Sequence, residues 1–361
     1  MSSSSSSSSS STKALVVIPS SINIDETFAV RSIVRPGETI SSTGLTSRPG
    51  GKGANVSAAL ALAGCDAWFV GNVGKDADWP LEELRKRGVK TDLAGVLDGT
   101  PTGRAFIQIA EDGENSIVLL KGANYPPAPS SPSSTFSSLP RPATHLVLQN
   151  EIPLSTTAAY LSHGHSQGLS TIWNPSPLPT AEELQSWRWD QTDVLIVNQG
   201  EGLDLIAALT GRNVNEGEKA EDTLAALAGL KQLKTLAWVV MTRGAHGVLA
   251  SVLLEESAEG ESRTTVALSA SKPRQVLDTT GAGDTFAGYL VSALAELHEE
   301  KSKAGAGAGA ASGGARRRPS SEEEVRGCLH RAGVAAAMAV EVRGAMESIP
   351  KREDVQRRLE E

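Results

Sequence analysis

Only two cysteines occur in 361 residues, Cys65 and Cys328, and neither sits in a CxxC or Cys/His ligand spacing. A disulfide framework and a structural zinc site are therefore excluded. Aromatic residues are scarce at 4%, so the core must be filled by Ala, Val, Leu and Ile, the filling of a parallel-sheet α/β protein rather than of a sandwich. Positive charge is not in excess, since 34 Lys and Arg against 42 Asp and Glu leave a net charge of −8. The one dense basic cluster, Arg316-Arg317-Arg318, lies in a Gly/Ala tract, which argues against nucleic acid as a partner. No apolar run reaches the roughly 18 residues that span a bilayer, so no membrane partner is expected. The serines after Met1 and the short run Ala14 to Pro19 make neither the basic segment nor the apolar core of a secretion signal. The reading is cytoplasmic, with the nucleus as a second compartment.

What is present divides into a patterned body and three low-complexity additions. Ser2 to Ser11, the Pro/Ser-rich stretch 126–142 and the Ala-Gly and Arg stretch 301–319 cannot bury enough apolar surface to offset their ordering entropy. The first reads as a disordered tail over 1–12, the others as long surface loops inserted in one domain over 13–361. Elsewhere short apolar runs alternate with helical periods: strands at Ala14 to Ile18, Ala67 to Val70, Leu146 to Gln149, Thr171 to Asn174, Val194 to Asn198 and Trp238 to Met241. Between them lie helices at Asn55 to Leu62, Thr156 to Ser166, Ala181 to Trp187, Glu201 to Leu209 and Asp222 to Leu233; helices Asp284 to His298 and Glu322 to Val340 close the body. Repeated βα units predict a doubly wound, mostly parallel sheet flanked by helices. The runs Ala105 to Ala110 and Ser116 to Leu120 around Asp112-Gly113 signal a hairpin outside that pattern. With strands within about 23–45 and 100–122, it predicts a small β lid.

Two glycine-rich turns carry chemistry. In Asp278-Thr279-Thr280-Gly281-Ala282-Gly283-Asp284, small residues lead directly into an apolar helix. Gly281, Ala282 and Gly283 let backbone N–H groups converge at a helix N-terminus, which favours an anion. Asp284 in the first turn is placed to take a proton from a substrate hydroxyl. An anion hole beside a carboxylate base suits phosphoryl transfer to an alcohol; a plain turn with a capping Asp is the alternative. The second turn, Gly50-Gly51-Lys52-Gly53-Ala54-Asn55, matches neither the G-x-x-x-x-G-K-[ST] nor the G-x-G-x-x-G pattern. Close backbone with a Lys and an Asn in reach suits a polyhydroxylated ligand, and a simple tight turn is the alternative.

Together the two turns resemble the signatures of the PfkB-type carbohydrate kinases, most closely the ribokinase group, from about Ala14 to the C-terminus. Ser21-Ile22-Asn23-Ile24-Asp25, Gln149-Asn150-Glu151, Asn198-Gln199-Gly200-Glu201, Thr242-Arg243-Gly244 and Arg343-Gly344-Ala345 support the match. The resemblance implies a ribokinase-like fold and an enzyme that transfers phosphate from ATP to the 5-hydroxyl of D-ribose. Another kinase of the family, acting on fructose, a deoxy-sugar or adenosine, is the same-class alternative; an inactive sugar-binding protein is the different-class one. By the same resemblance Asn23, Asp25, Gly51, Lys52, Gly53, Asn55 and Glu151 bind the sugar, and Asp284 is the catalytic base. Asn198, Thr242, Arg243, Gly244, Ala245, His246, Gly247 and Gly283 flank ATP, and Glu201 organises Mg2+ through water. Asp278, Thr280, Ala339, Val342, Gly344 and Ser348 correspond to a potassium site. A homodimer formed through the lid is implied as well. Gly333 departs from the polar residue often found near the adenine.

The remaining features have plainer readings. His163 and His165 lack a third ligand and read as a solvated helix end. Trp187 and Trp189 read as packing under a loop, and both cysteines as small core residues.

Overall fold

The computed structural model describes residues 14–128, 130–212, 217–255, 262–304 and 318–361. The chain begins in strand β1 (Leu15–Pro19), buried at every position. It turns into β2 (Asn23–Val30), β3 (Gly44–Gly50) and helix α1 (Lys52–Leu62), then β4 (Asp66–Val70), β5 (Asn72–Gly74), α2 (Trp79–Lys86), β6 (Gly95–Leu97), β7 (Gly103–Ala110) and β8 (Asn115–Leu120). Helix α3 (Pro132–Ser137) precedes β9 (His145–Leu148), α4 (Leu154–Ser166), β10 (Ser170–Trp173), α5 (Ala181–Gln185), β11 (Val194–Asn198), α6 (Gln199–Thr210) and α7 (Ala220–Gly229). Strands β12 (Trp238–Thr242), β13 (Val248–Leu253) and β14 (Arg263–Leu268) follow, then helices α8 (Ala282–Ala304), α9 (Glu322–Ala339) and α10 (Arg352–Glu360).

Eight strands form the main sheet in the order β14-β13-β12-β11-β10-β9-β1-β4. Neighbours are parallel from β4 through β12, and β13 and β14 are antiparallel. Alternation along β1 shows how both faces are covered. Val16 and Ile18 pack in the cluster that holds α1, α8 and α9, whereas Leu15 and Val17 pack in the one that holds α4, α6 and α7. Each such side chain contributes about 1.5–3 kcal/mol by burial, which is why β1, within the parallel part of the sheet, is apolar throughout rather than alternating. From β1 the chain passes to β4 on one side and later to β9 on the other. The order reverses at β1, and a crevice opens beyond the carboxyl ends of β1 and β9.

Only Ser20, Ser21 and Ile22 separate β1 from β2, so the second sheet, β3-β2-β7-β8, starts at that crevice. In it β2 pairs parallel with β7 and antiparallel with β3, and β7 and β8 form the hairpin. A short parallel pair, β5-β6, stands apart.

Several sequence expectations need correction. The Pro/Ser stretch is not simply loop: it contains α3, and the Ser130 and Thr135 hydroxyls meet the Tyr160 hydroxyl at 2.9 and 2.7 Å. Strand β3 runs to Gly50, past the expected limit near residue 45. Helix α8 continues to Ala304, into the stretch read as a loop, where Lys301 Nζ donates to Glu255 and to the Arg318 carbonyl. The helix expected to end at Leu233 stops at Gly229 and is followed by a separate helical turn. The tail 1–12 and residues 305–317 lie outside the described residues. Trp187 stacks on Trp173 with ring centroids 3.8 Å apart, so the tryptophans are core packing.

Candidate active site

The Gly-Gly-Lys-Gly-Ala-Asn turn forms where β3 meets α1. Gly51 adopts φ +89°, a region only glycine enters freely. A Cβ on Gly53 would lie 2.3 Å from that of Ser20, so the glycine lets α1 seat against the exit of β1. The N–H of Gly53 donates to Ser21 Oγ at 3.3 Å, which makes Gly53 part of the turn's frame. Glu151, just past β9, clamps the same turn: its Oε2 accepts from Ser21 Oγ at 2.5 Å and from the Lys52 N–H at 2.9 Å. The crevice between β1 and β9 is thus bridged by one carboxylate.

From α1, Asn55 reaches across to α8, and its Nδ2 donates to Asp284 Oδ2 at 2.8 Å in a buried contact. Asp284 is 8% exposed. It sits in the first turn of α8, where the N–H of Ala282 bonds back to the Thr279 carbonyl at 3.3 Å and that of Thr285 to the Gly281 carbonyl at 2.8 Å. The N–H groups of Gly283 and Asp284 precede that bond and have no acceptor within the helix. Gly281 is held at φ +76°, and a Cβ there would come within 2.7 Å of Ala345 Cα. At Gly283 a Cβ would meet nothing within 4 Å. The two glycines therefore differ: one allows the loop to pack, the other keeps the mouth of the helix open.

Asp25 lies two residues beyond Asn23 on β2. Burial, and then the nearby carboxylates of Glu151, Glu347 and Asp284, raise its carboxyl to about 7. Burial alone would lower the Lys52 ammonium, but Asp284, Glu151 and Glu201 more than offset it and hold it above its ordinary value. A cation among carboxylates that repel one another is an arrangement that favours hydroxyl donors and a phosphoryl group. The folded protein holds the Asp25 proton more tightly than the unfolded chain, so stability is greatest below pH 4 on this group's account and falls as pH rises toward 7. Asp25→Asn is expected to melt several degrees above the wild type at pH 8, with the gain vanishing near pH 4 in thermal melts. An equal gain at both pH values would show that the carboxyl is not destabilised by ionisation.

The residues expected to flank ATP lie along the same carboxyl edge of the sheet. Asn198 ends β11 and pairs with Thr242 at the end of β12. Asn198 and Glu201 form a reciprocal capping box: Asn198 Oδ1 accepts from the Glu201 N–H at 2.8 Å, and the Asn198 N–H donates to Glu201 Oε2 at 2.9 Å. The Gly244–His246 turn is exposed, and the Arg243 guanidinium closes it by donating to the His246 carbonyl at 2.8 Å. Gly247 takes φ +90° against the Leu268 carbonyl.

Beside the α8 turn, Asp278 accepts from the N–H groups of Thr280 and Gly344, each at 2.9 Å. Its burial raises its carboxyl, but these bonds, with Arg48 nearby, outweigh it and hold the group below the ordinary carboxylate range. Among the described hydrogen bonds, the carbonyls of Thr280, Val342 and Gly344 receive no N–H, whereas that of Ala339 accepts from Val342. Ser348 Oγ donates to the Ala345 carbonyl, leaving its lone pairs available. This all-oxygen set with a single carboxylate fits a large, weakly hydrated cation. No group of three His, Cys, Asp or Glu side chains able to hold a metal occurs among the described residues.

Sequence reasoning missed Asn124, which lies against Asn23, and did not assign Ser21 its own role. The signal for Asn124 was slight, a Gly-Ala-Asn run after the hairpin.

The sequence model of the "pfkB family carbohydrate kinase" matches residues 13–352. A crystal structure of ribokinase from Cryptococcus neoformans var. grubii in complex with ADP is similar, with 38% identity, a TM-score of 0.75 and coverage of 96% of this chain and 99% of the other. Arabidopsis thaliana ribokinase complexed with ribose and ATP matches at 28% identity and a TM-score of 0.74, over 97% and 99% of the two chains. Ribokinase from Haemophilus influenzae is 30% identical over 96% of this chain and 99% of its own. The chain spans 55% of the length of a longer relative, the bifunctional ribokinase/ribose-5-phosphate isomerase A of Fructilactobacillus sanfranciscensis, at 29% identity. The chain belongs to the pfkB family of carbohydrate kinases, with a ribokinase-type fold built around the crevice at β1 and β9.

Proposed function

We propose that this protein is a ribokinase, transferring the γ-phosphoryl group of ATP to the 5-hydroxyl of D-ribose to give D-ribose 5-phosphate and ADP. The observation that carries the reading is the buried Asn55–Asp284 bond, which joins the two glycine-rich turns at the mouth of α8. Asn23, Asp25, Gly51, Lys52, Asn55 and Glu151 surround the sugar. Gly53 supports them from the frame of the turn.

Asp284 accepts the proton of the 5-hydroxyl as that oxygen bonds to the γ-phosphorus, and the bond to the β-phosphate oxygen breaks with its electrons passing to ADP. Asn55 holds the carboxylate in one orientation for this transfer. The N–H groups at Gly281, Gly283 and Asp284 stabilise charge on the transferring phosphoryl, while that of Ala282 is donated to the Thr279 carbonyl at 3.3 Å and holds the turn; Lys52 adds a cation on the sugar side. Asn198 and Glu201 would organise Mg2+ through water while keeping their capping box, and Thr242 to Gly247 flank the nucleotide.

Asp278, Thr280, Ala339, Val342, Gly344 and Ser348 would hold K+, which would neutralise charge beside the α8 turn. Rates in potassium chloride are expected to exceed those in lithium or tetramethylammonium chloride several-fold; equal rates would remove the cation site from the account.

The strands of the second sheet act as a lid over the sugar. Leu45, Ile117, Val118, Leu119 and Leu120 are 41–63% exposed there, with the last four consecutive on edge strand β8. An apolar patch at an unpaired edge supports pairing with a second copy, hence a homodimer. Among the described residues no helix is long and apolar enough to cross a membrane, and the compartment we propose is the cytoplasm.

The test is a sugar panel read by ADP release. Ribose should give the highest kcat/KM, and equal or better turnover of fructose or adenosine would transfer the protein to another branch of the family.

A further inference from the structure

We propose that Asn124 is a positioning residue that decides which end of the Asn23 amide faces the sugar, an inference that rests on the sugar-site reading above. Asn124 ends the helical turn Gly122–Asn124 that follows β8, and it is 4% exposed. Its two bonds determine each other. The backbone N–H of Ile22 can only donate, so the Asn124 atom 2.9 Å from it is Oδ1. The other end of that amide is Nδ2, also a donor only, so the Asn23 atom 2.7 Å away is Oδ1. What Asn23 has left for a ligand is Nδ2.

Asn23 thus meets the sugar as a donor. Asp25 is two residues further along β2, on the same face of the strand, and its carboxyl, once ionised, can only accept. A donor beside an acceptor matches two hydroxyls of which one is read by its lone pair and the other by its proton. Were Asn23 turned over, two NH2 groups would face each other in a buried space, leaving both without an acceptor.

The surroundings are cleared for this bond. A Cβ on Gly103, which pairs with Asn23 between β2 and β7, would lie 2.2 Å from Asn124 Nδ2 and 2.4 Å from Asn23 Oδ1. Gly122 takes φ +48°, and a Cβ there would strike the Pro101 carbonyl at 2.3 Å. Gly103 makes room for the amide pair and Gly122 lets the turn that carries Asn124 pack on the Pro101–Gly103 backbone, and Asn124 ties the exit of the second sheet to the strand that reads the sugar.

The experiment uses Asn124→Asp in the full chain. It keeps an acceptor for the Ile22 N–H but sets a carboxylate oxygen against Asn23 Oδ1, so the Asn23 amide turns over. The KM for ribose is expected to rise about tenfold, while kcat and the KM for ATP stay within about twofold. The distinguishing readout is a panel of 1-, 2- and 3-deoxy analogues. One analogue, lacking the hydroxyl that Asn23 reads, should lose its disadvantage against ribose in the variant but not in the wild type. Asn124→Ser, which breaks the fixed pair without adding charge, should give the same pattern at smaller amplitude and serves if the aspartate variant does not fold. A uniform change across all sugars, or none, overturns the assignment. If the wild type prefers another sugar, the ribose reading fails, and the deoxy series of that sugar judges Asn124 by the same criterion.

Discussion

Asp284→Asn is expected to lower kcat by roughly 10²–10⁴-fold, the range of a positioned general base, while ribose binding measured calorimetrically changes little. The substitution isolates the proton transfer because an asparagine carbonyl can still accept from Asn55 Nδ2, the 2.8 Å bond that joins α1 to α8. Stability should fall by no more than about 0.3–1 kcal/mol, the worth of a negative charge in the first turn of a helix. Turnover that survives the change would remove Asp284 from the chemistry and leave it a capping carboxylate.

The second large effect separates two glycines only two positions apart. Gly283→Val should leave the melting temperature unchanged or slightly raised, because the new side chain meets no neighbour and a helix gains by losing glycine. Yet it projects into the proposed anion hole, and a loss of roughly 10²–10³-fold in kcat/KM is expected, comparable to losing one donor of such a hole. Gly281→Val should instead destabilise the chain, since its φ of +76° and the contact with Ala345 leave no room. A kinetic scan with parallel thermal melts reads both. An active Gly283→Val enzyme would contradict the placement of the anion hole.

These sites show what could be read without coordinates. Asn55 and Asp284 stand 229 residues apart, yet each opens a helix after a glycine-rich turn, so both announce themselves locally. The βα alternation was equally legible because strands covered on two faces must be apolar at every position, as β1 is. Other elements carry no such mark. In α10 only Val355 is buried, and one anchor makes no period. Helix α3 is built from Pro, Ser, Thr and Phe, a loop composition, and is held by hydroxyl contacts to Tyr160 that no local pattern displays. Asn198 and Glu201 illustrate a different limit. The three-residue spacing that suits a magnesium-organising pair is also that of a capping box, and the structure shows the box. Asn124 is marked only by its short Gly-Ala-Asn run, because its partners are a backbone N–H and an amide more than 100 residues earlier.

The most direct test of the account is the identity of the product. Incubated with D-ribose, ATP and Mg2+ in potassium buffer, the protein should yield one sugar phosphate whose phosphorus couples to carbon 5 in phosphorus and carbon NMR, together with one equivalent of ADP. Phosphate on another carbon, or ADP formed with no ribose phosphate, would contradict it.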